Sequence, residues 1–149
     1  MERIEDNALL TGAGRYIDDL PLPVGTLYAA VVRSPIAHGK IIDVDISSAL
    51  TVNGVRAVLT ISDVQEWSNP LVVAVKTPMK QWVLAHEYVR YVGEPIAIVI
   101  AESRALAEDG AEKVVVNIDP ITAITDVDNA LQDDAVILHK EIGSNCVSD

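Results

Sequence analysis

The sequence is short of cysteine, phenylalanine and long apolar runs, and each shortage excludes a kind of protein. Cys146 is the single cysteine among the 149 residues. An internal disulfide, a cysteine-ligated zinc site and an iron–sulfur cluster therefore cannot be built within this chain. Phenylalanine is absent, so the core must be made of Val, Ile, Leu and Ala. No stretch contains the roughly 18 consecutive apolar residues of a membrane-spanning helix.

Basic residues are also scarce, because 11 Lys and Arg stand against 22 Asp and Glu and leave a formal net charge of −11. Such a surface repels phosphate groups, so we expect neither nucleic acid nor an anionic membrane as a partner. Residues 1–6 are largely charged and contain no signal-peptide core. A single cysteine also fits a reducing compartment. The expected location is the cytoplasm.

The apolar residues that are present suffice for one folded domain. Half of the residues are hydrophobic, 22% are charged and the mean hydropathy is +0.27. A compact chain of this length buries about 68–70% of its unfolded surface. Because many of the apolar residues are β-branched, they favour strands over helices. We therefore expect a single domain whose core is built largely from a sheet.

The hydrophobic pattern predicts an extended lead-in over residues 1–25, followed by strands and short helices. Predicted strands cover residues 26–33, 38–46, 55–59, 71–75, 88–91, 96–101 and 114–118, with an extended piece at 135–139. Predicted helical segments cover residues 47–50, 61–67 with Ser62 as the N-cap, 103–113 capped by Ser103, and 126–131. The pattern predicts one domain of the α+β or the α/β class with a mixed sheet.

Two of these strands carry predictions about which side chains face inward. Residues 26–33 are mostly apolar and are interpreted as a buried strand. In residues 38–46 polar and apolar positions alternate, which places Ile42, Val44 and Ile46 on one face. That pattern is typical of a half-buried strand.

The central part of the sheet is predicted from two further apolar segments. Residues 96–101 are apolar on both faces, as the residues of a central strand should be. Residues 114–118 form a second strand, which we also expect to be central. A helix between them makes a strand–helix–strand run, and such a run predicts a crossover between neighbouring or nearby strands of the sheet.

Glycine, histidine and cysteine form no motif that is specific for a cofactor or a metal. Gly12 and Gly14 supply half of a dinucleotide-binding fingerprint, but Ile17 stands where the third glycine belongs, so a turn is favoured. Cys146 lies in a predicted tail without a base, so we do not expect a thiol nucleophile. Three histidines are far apart in sequence and lack a second ligand at metal spacing: His38, His86 and His139.

Two pairs of neighbouring carboxylates are interpreted as turn formers, Asp18 with Asp19 and Asp133 with Asp134. Neighbouring side chains of an extended chain point to opposite faces, so neither pair could share a proton as a catalytic dyad does. We assign no residue of this chain to catalysis, to cofactor binding or to metal binding.

Glu94 differs from the other acids because it stands between Gly93 and Pro95, at the start of the most apolar strand. A charge at this place is either exposed at a sheet edge or held by a partner, and a structural role is favoured. Pro95 has no N–H, so the strand ladder cannot run unbroken through this point. We expect a bend here, with Gly93 in a conformation that a side chain would strain.

Several collinear stretches resemble one known family. The stretches are Arg3-Ile4-Glu5-Asp6 with Leu10 to Asp19, Val32-Arg33-Ser34-Pro35-Ile36-Ala37-His38, Gly54 to Thr60, Val83-Leu84-Ala85, Val89 to Ala97, Ala101 to Asp109, His139 and Gly143-Ser144-Asn145. Together they resemble the start of the large, molybdopterin-binding subunit of the xanthine dehydrogenase, aldehyde oxidase and carbon monoxide dehydrogenase type of molybdenum hydroxylase. One departure is Asn53, which stands where proline is usual.

The resemblance implies an α/β-hammerhead domain of the α+β class over residues 1–142, with a curved mixed sheet and short flanking helices. Residues 143–149 would be the start of a linker to the molybdopterin-binding domains. It implies a parent enzyme that hydroxylates an electrophilic carbon of an aldehyde, a purine, an N-heterocycle or carbon monoxide with oxygen from water. Electrons then pass from molybdenum through [2Fe–2S] centres to FAD. In that family the catalytic and pterin-binding residues lie in later domains, so we expect this chain by itself to bind no cofactor and to be no enzyme.

The expected partners are the remainder of the large subunit and two separate subunits, a medium one with FAD and a small one with the iron–sulfur centres. No cysteine-rich or flavin module precedes the hammerhead, which favours this multi-subunit arrangement and a chain that is a piece of a longer one. The alternative is a free-standing hammerhead with an interaction or regulatory role. An independent enzyme that uses Glu94 or Asp18 and Asp19 is the least favoured hypothesis.

Overall fold

The computed structural model describes residues 3–73 and 79–147, and their regular elements are short. The strands of these residues are β1 (Tyr28–Arg33), β2 (Gly39–Asp45), β3 (Val55–Leu59), β4 (Leu71–Val73), β5 (Met79–Gln81), β6 (Tyr88–Val89), β7 (Pro95–Ala101) and β8 (Val115–Pro120). The α-helices are α1 (Asp6–Leu10), α2 (Ile61–Gln65), α3 (Arg104–Ala111) and α4 (Val127–Ala130), and single 3₁₀ turns occupy Ile17–Asp19 and Ala49–Thr51.

The strands form separate sheets instead of the single mixed sheet that was predicted. One sheet has the order β1-β7-β3, a second has the order β6-β2-β8, and β4 pairs with β5. Every pairing in the described residues is antiparallel. The prediction of a crossover from β7 to β8 within one sheet is therefore wrong. Since β1 and β3 already occupy both edges of β7, the chain leaving α3 passes to the second sheet, where β8 is an edge strand.

β7 is the central strand of its sheet, as predicted. It pairs with β1 along one edge and with β3 along the other. Ala97, Val99 and Ala101 are fully buried, and Val99 packs with Ala49 and Val58 in one hydrophobic cluster. β1 differs from its prediction as a buried strand, because half-buried and exposed residues alternate along it. Its position at the edge of the sheet explains the difference.

α3 packs on the first sheet so closely that its last turn requires a glycine. Ser103 caps the helix as predicted, since its Oγ accepts a hydrogen bond from the Leu106 N–H at 3.2 Å. A Cβ on Gly110 would lie 2.8 Å from a methyl group of Val99 and 2.9 Å from one of Val55. The absence of a side chain at Gly110 therefore sets the distance between α3 and the sheet.

A bulge interrupts β2. In its ladder with β8, Ile41 pairs with Ile118 and Asp43 pairs with Asn117, so Ile42 is an extra residue on β2. A bulge shifts the alternation of side chains by one position. The residues after it consequently point to the face opposite the one that regular alternation assigns.

The bulge makes the predicted inward face of β2 wrong. Ile41 and Val44 pack against a second hydrophobic cluster, whereas Ile42 is 62% exposed. The buried members of that cluster come from the segment before β6, from β6 and from β7: Ala85, Val89 and Ile96. The sequence pattern missed the bulge because it assumes that alternation continues unbroken.

Helix α2 begins at Ile61, as predicted, but it ends at Gln65, and its N-cap is Thr60 instead of Ser62. Thr60 has extended backbone, and its N–H donates to the Asp63 carboxylate at 2.7 Å. This bond satisfies an N–H at the helix start, as in a capping box. The same backbone bond lowers the pKa of Asp63.

Some other predicted elements differ from the structure in their bounds, and some observed elements were not predicted. α1 and the turn Ile17–Asp19 lie in the lead-in that was predicted to be extended. β5 was not predicted, and residues 74–75 of the strand predicted at 71–75 lie outside the described residues. The extended piece predicted at 135–139 forms no strand within the described chain. β3 agrees with its predicted bounds, and Asp126 caps α4 by accepting from the Asn129 N–H.

We predict that the 149-residue chain unfolds cooperatively and that Val99→Asp destabilises it by several kcal/mol. The reason is that an unpaired charge would be buried in a strand covered on both faces. Ile42→Asp is the matched control, and we expect it to cost no more than about 1 kcal/mol because position 42 is exposed. Urea unfolding followed by far-ultraviolet circular dichroism measures both. Equal stability of the two variants would contradict the prediction.

Candidate functional site

A cleft lined by polar side chains lies where β5, the loop before β7 and the segment after α4 meet. Its volume is about 580 Å³. Arg90 and Glu94 line it from one side, and His139 and Glu141 line it from the other. His86 also faces this cleft, so the fold brings together three residues that sequence analysis had considered separately: His86, Glu94 and His139.

The predicted bend at Gly93-Glu94-Pro95 forms one wall of the cleft. Gly93 has a φ of +89°, a left-handed conformation that favours glycine. Its N–H donates to the Ser34 carbonyl at 2.8 Å, and its own carbonyl accepts from the Arg33 guanidinium at 2.9 Å. These bonds fasten the bend to the end of β1, so the prediction of a bend with a special glycine conformation is confirmed.

The ladder between β1 and β7 is irregular beside this bend. Val32 pairs with Ala97 and Arg33 pairs with Pro95, so Ile96 is an extra residue on β7. Ile96 is 2% exposed and packs in the second hydrophobic cluster. The bend therefore redirects the start of β7 from one sheet toward the core beneath the other.

Glu94 is held by Arg90 and is not exposed at a sheet edge. Its carboxylate accepts a hydrogen bond from the Arg90 main-chain N–H, and the Arg90 guanidinium lies 4.0 Å from it. The Arg90 side chain is 20% exposed and the Glu94 side chain is 13% exposed. Burial raises the pKa of Glu94, although the Arg90 N–H and the Arg90 charge act in the opposite direction. Of the two alternatives given for Glu94, the structure shows the held one.

Arg90 connects the bend to the segment that follows α4. Its Nε donates to the Leu138 carbonyl at 3.2 Å, and one terminal nitrogen donates to the Tyr88 carbonyl at 3.3 Å. Lys140 donates to the Tyr88 hydroxyl at 2.9 Å. The charged groups of the cleft thus hold main-chain segments together, which is a structural use of charge.

Asn145 fastens the same segment from inside. Its amide nitrogen donates to the carbonyls of Ala130 at 3.1 Å and Val136 at 2.9 Å, and its oxygen accepts from the Leu138 N–H at 3.0 Å. Residues 143–149 were predicted to begin a linker, and Asn145 lies within them. The segment from Ala130 to Asn145 is therefore tied into the domain at least as far as this side chain.

His38 does not line the cleft, and His86 and His139, which do, make different contacts. His38 is 3% exposed, with Nδ1 3.3 Å from the Thr122 carbonyl oxygen. The rings of His86 and Trp82 have centroids 6.0 Å apart. His139 contacts Glu141 at 3.3 Å. Burial raises the pKa of Glu141, but hydrogen bonds to its own main chain and to His139 outweigh burial, and the net shift is downward.

No group of three or more His, Cys, Asp and Glu side chains that could hold a metal occurs within residues 3–73 and 79–147. The carboxylate pairs also lie apart from the cleft. Asp19 accepts from the Tyr16 N–H, Asp18 pairs with Arg104 on the surface, and Asp133 and Asp134 lie in a turn.

Gly12 has a φ of +70° in the turn that ends α1, and no strand leads into it. The turn interpretation of Gly12 and Gly14 is thus confirmed. Sequence reasoning missed the roles of Arg90 and Asn145. The spacing of four residues between Arg90 and Glu94 was the one local signal for the first, and nothing local pointed to the second.

Comparison with known proteins identifies the family. The profile described as "Aldehyde oxidase and xanthine dehydrogenase, a/b hammerhead domain" matches residues 11–121. The chain is 37% identical over 134 residues to the nicotine 6-hydroxylase large subunit of Paenarthrobacter nicotinovorans, covering 87% of this chain and 16% of that protein. It is 37% identical over 142 residues to the carbon monoxide dehydrogenase large chain of Hydrogenophaga pseudoflava, covering 93% of this chain and 17% of that one.

A solved structure supports the same family. The crystal structure of quinoline 2-oxidoreductase from Pseudomonas putida 86 superposes with a TM-score of 0.89 at 38% identity and covers 99% of this chain and 19% of its own. The chain therefore belongs to the a/b hammerhead domain family of aldehyde oxidases and xanthine dehydrogenases, and the family and fold class expected from the sequence are confirmed. It spans less than a fifth of the length of these relatives.

The helices of the described residues are all too short, or too polar, to cross a lipid bilayer.

We predict that Gly93→Val destabilises the chain by more than about 1 kcal/mol. No heavy atom lies within 4 Å of a Cβ built on Gly93, so the cost comes from the left-handed backbone alone and not from a clash. Gly93→Asn is the matched control, and we expect it to be clearly milder because Asn tolerates this conformation. Chemical denaturation measures both variants. A Val variant as stable as the Asn variant would show that the backbone here is not special.

A second prediction concerns pH and Glu94. Because burial raises the pKa of Glu94 in the folded state, the folded chain binds a proton more tightly than the unfolded chain does. Above the ordinary value of 4.5 the wild type should therefore lose stability relative to Glu94→Gln as the pH rises through the folded-state pKa. Urea unfolding of both proteins between about pH 4 and 7 gives this difference. If the free energy of unfolding of the wild type instead rises with pH relative to that of Glu94→Gln, Arg90 lowers the pKa of Glu94 more than burial raises it, and the prediction is wrong.

Proposed function

We propose that this chain is a non-catalytic structural domain of the molybdenum-binding large subunit of a hydroxylase. The observation that carries the proposal is the extent of the match: nearly all of this chain, but only 16–17% of the two large subunits compared above, is covered at 37% identity. A relative named xanthine dehydrogenase molybdenum-binding subunit, from Escherichia coli O157:H7, shares 32% identity over 149 residues. The parent enzyme would oxidise an electrophilic carbon with oxygen derived from water.

The side chains of the domain do not fit a molybdenum cofactor, an iron–sulfur cluster or a flavin. One cysteine cannot ligate a cluster, and the described residues bring together no group of three potential metal ligands. The turn at Gly12 lacks the preceding strand that a phosphate-binding loop needs. Molybdopterin would accordingly be bound by later domains of the large subunit, and FAD and [2Fe–2S] centres by separate medium and small subunits.

The contribution of the domain would be to set the direction of the polypeptide. Arg90 binds the main chain at Leu138, Asn145 binds it at three further points, and Glu94 holds Arg90 in place. Hydrogen bonds from charged groups are stronger than those between neutral groups, so this segment should leave the domain along one path. That path would orient the domains that follow it.

Substrate choice would lie outside this domain. Relatives named for nicotine and for carbon monoxide are both 37% identical to it, and the structure named for quinoline is 38% identical. This similarity to proteins named for three different compounds supports that proposal. With a net charge of −11, it would have no nucleic-acid or membrane partner, and the enzyme would be cytoplasmic.

The test is to purify the native protein that contains this sequence from its host by an affinity tag. We expect one long subunit that carries the sequence and molybdenum, together with two smaller subunits that carry iron and flavin. The matched control is the isolated 149-residue chain, which should contain none of the three. A native protein of this chain's size without metal or flavin would establish the free-standing alternative. Near-stoichiometric molybdenum in the isolated chain would show that the domain itself binds the cofactor.

A further inference from the structure

The N-terminal arm, residues 3–27, exposes an unusual number of large apolar side chains. Six of its residues are more than half exposed: Ile4, Leu10, Tyr16, Ile17, Leu22 and Val24. The other 115 described residues contain ten such side chains. Scattered single apolar residues are normal on a protein surface, but a concentration of this kind marks an interaction site.

The arm is not held by its own domain's core. None of residues 3–27 is buried, and the turn after α1 is closed locally, since the N–H groups of Ala13 and Gly14 both donate to the Ala8 carbonyl at 2.8 Å. An ion pair of 3.4 Å between Asp18 and Arg104 links the arm to α3, and both side chains are largely exposed. Exposed ion pairs contribute about 0–1 kcal/mol, which is too little to order an apolar segment.

Alignments with two longer proteins nevertheless include the arm. The match to quinoline 2-oxidoreductase includes 99% of this chain at a TM-score of 0.89, and a match to Cu,Mo-CO dehydrogenase includes 99% at 0.84. This chain covers 19% and 18% of those two chains. A segment that is aligned in such proteins and has so few contacts with its own domain needs a further surface to hold it.

We propose that the N-terminal arm is a docking segment whose apolar side chains pack against an apolar face of the domains that follow residue 149 in the same polypeptide. This inference rests on the proposed function, which supplies those domains. A face on the same chain is favoured because covalent linkage gives it a high effective concentration. Burial of exposed apolar area contributes roughly 25 cal/mol per Å², so the six side chains named above can hold the arm without further ion pairs.

The first test uses the assembled native enzyme with p-benzoylphenylalanine in place of Ile17 or Val24. On irradiation we expect cross-links to peptides beyond residue 149, within a large subunit of unchanged mass, mapped by mass spectrometry. Cross-links to a second copy, to a smaller subunit or to residues 28–147 would overturn the proposal. Failure to form any cross-link would also overturn it, because it would leave the arm in solvent.

The second test separates apolar packing from the ion pair by changing two adjacent residues. Trypsin cuts after Arg15, which is exposed in the domain. In the assembled enzyme we expect this bond to be protected, with Ile17→Asp raising its cleavage rate about tenfold and Asp18→Asn leaving it within about twofold. Faster cleavage with Asp18→Asn than with Ile17→Asp, or equally fast cleavage of the wild type, would contradict docking.

Failure of this inference can be told from failure of the proposed function. The mass and molybdenum content of the purified subunit report on the proposed function before either test begins. A long, molybdenum-containing subunit whose arm cross-links elsewhere would overturn the docking alone. A subunit without molybdenum would overturn the proposed function.

Discussion

The position of β7 is the constraint on which the rest of the domain depends. Its two edges are occupied by β1 and β3, and its two ends contribute to different cores, with Ile96 in the cluster under the second sheet and Val99 in the cluster under α3. Because no edge of β7 remains free, the chain after α3 must build a separate sheet on β2. Side chains of β7 therefore pack in the cores of both sheets, although its strand partners in the described part of the chain, β1 and β3, both belong to the first sheet.

The bend before β7 makes that double role possible, and charge holds the bend. Gly93 supplies a left-handed backbone, Ile96 is the extra residue of the ladder, and Glu94 turns back to bind Arg90. A half-buried carboxylate is costly unless it is paired. Here the pairing has a second consequence, since the same arginine also binds the main chain at Leu138. The start of the central strand and the last segment of the domain are thus positioned by one side chain.

The charged side chains of the cleft bind neighbouring parts of the domain. A cleft that contains two histidines, three glutamates and an arginine resembles a reaction site in composition. Arg90 donates instead to the main-chain carbonyls of Leu138 and Tyr88, and His139 contacts Glu141. The matched family profile describes a hammerhead domain, and the matched large subunits are much longer than this chain.

Residue order, apolar runs and turn chemistry were enough to predict the family, the α+β class and the central strand. They also predicted the cap at Ser103 and the bend at Gly93, because each of these features is encoded locally. Tertiary structure alone decided the bulge at Ile42, the edge position of β8 and the bonds of Arg90 and Asn145. The physical reason is the range of the interactions. Whether alternation continues through Ile42 depends on how β2 pairs with β8, more than 70 residues later in the chain. Arg90 and Leu138 are 48 residues apart, and a period of two or of 3.6 residues carries no information about such a pair.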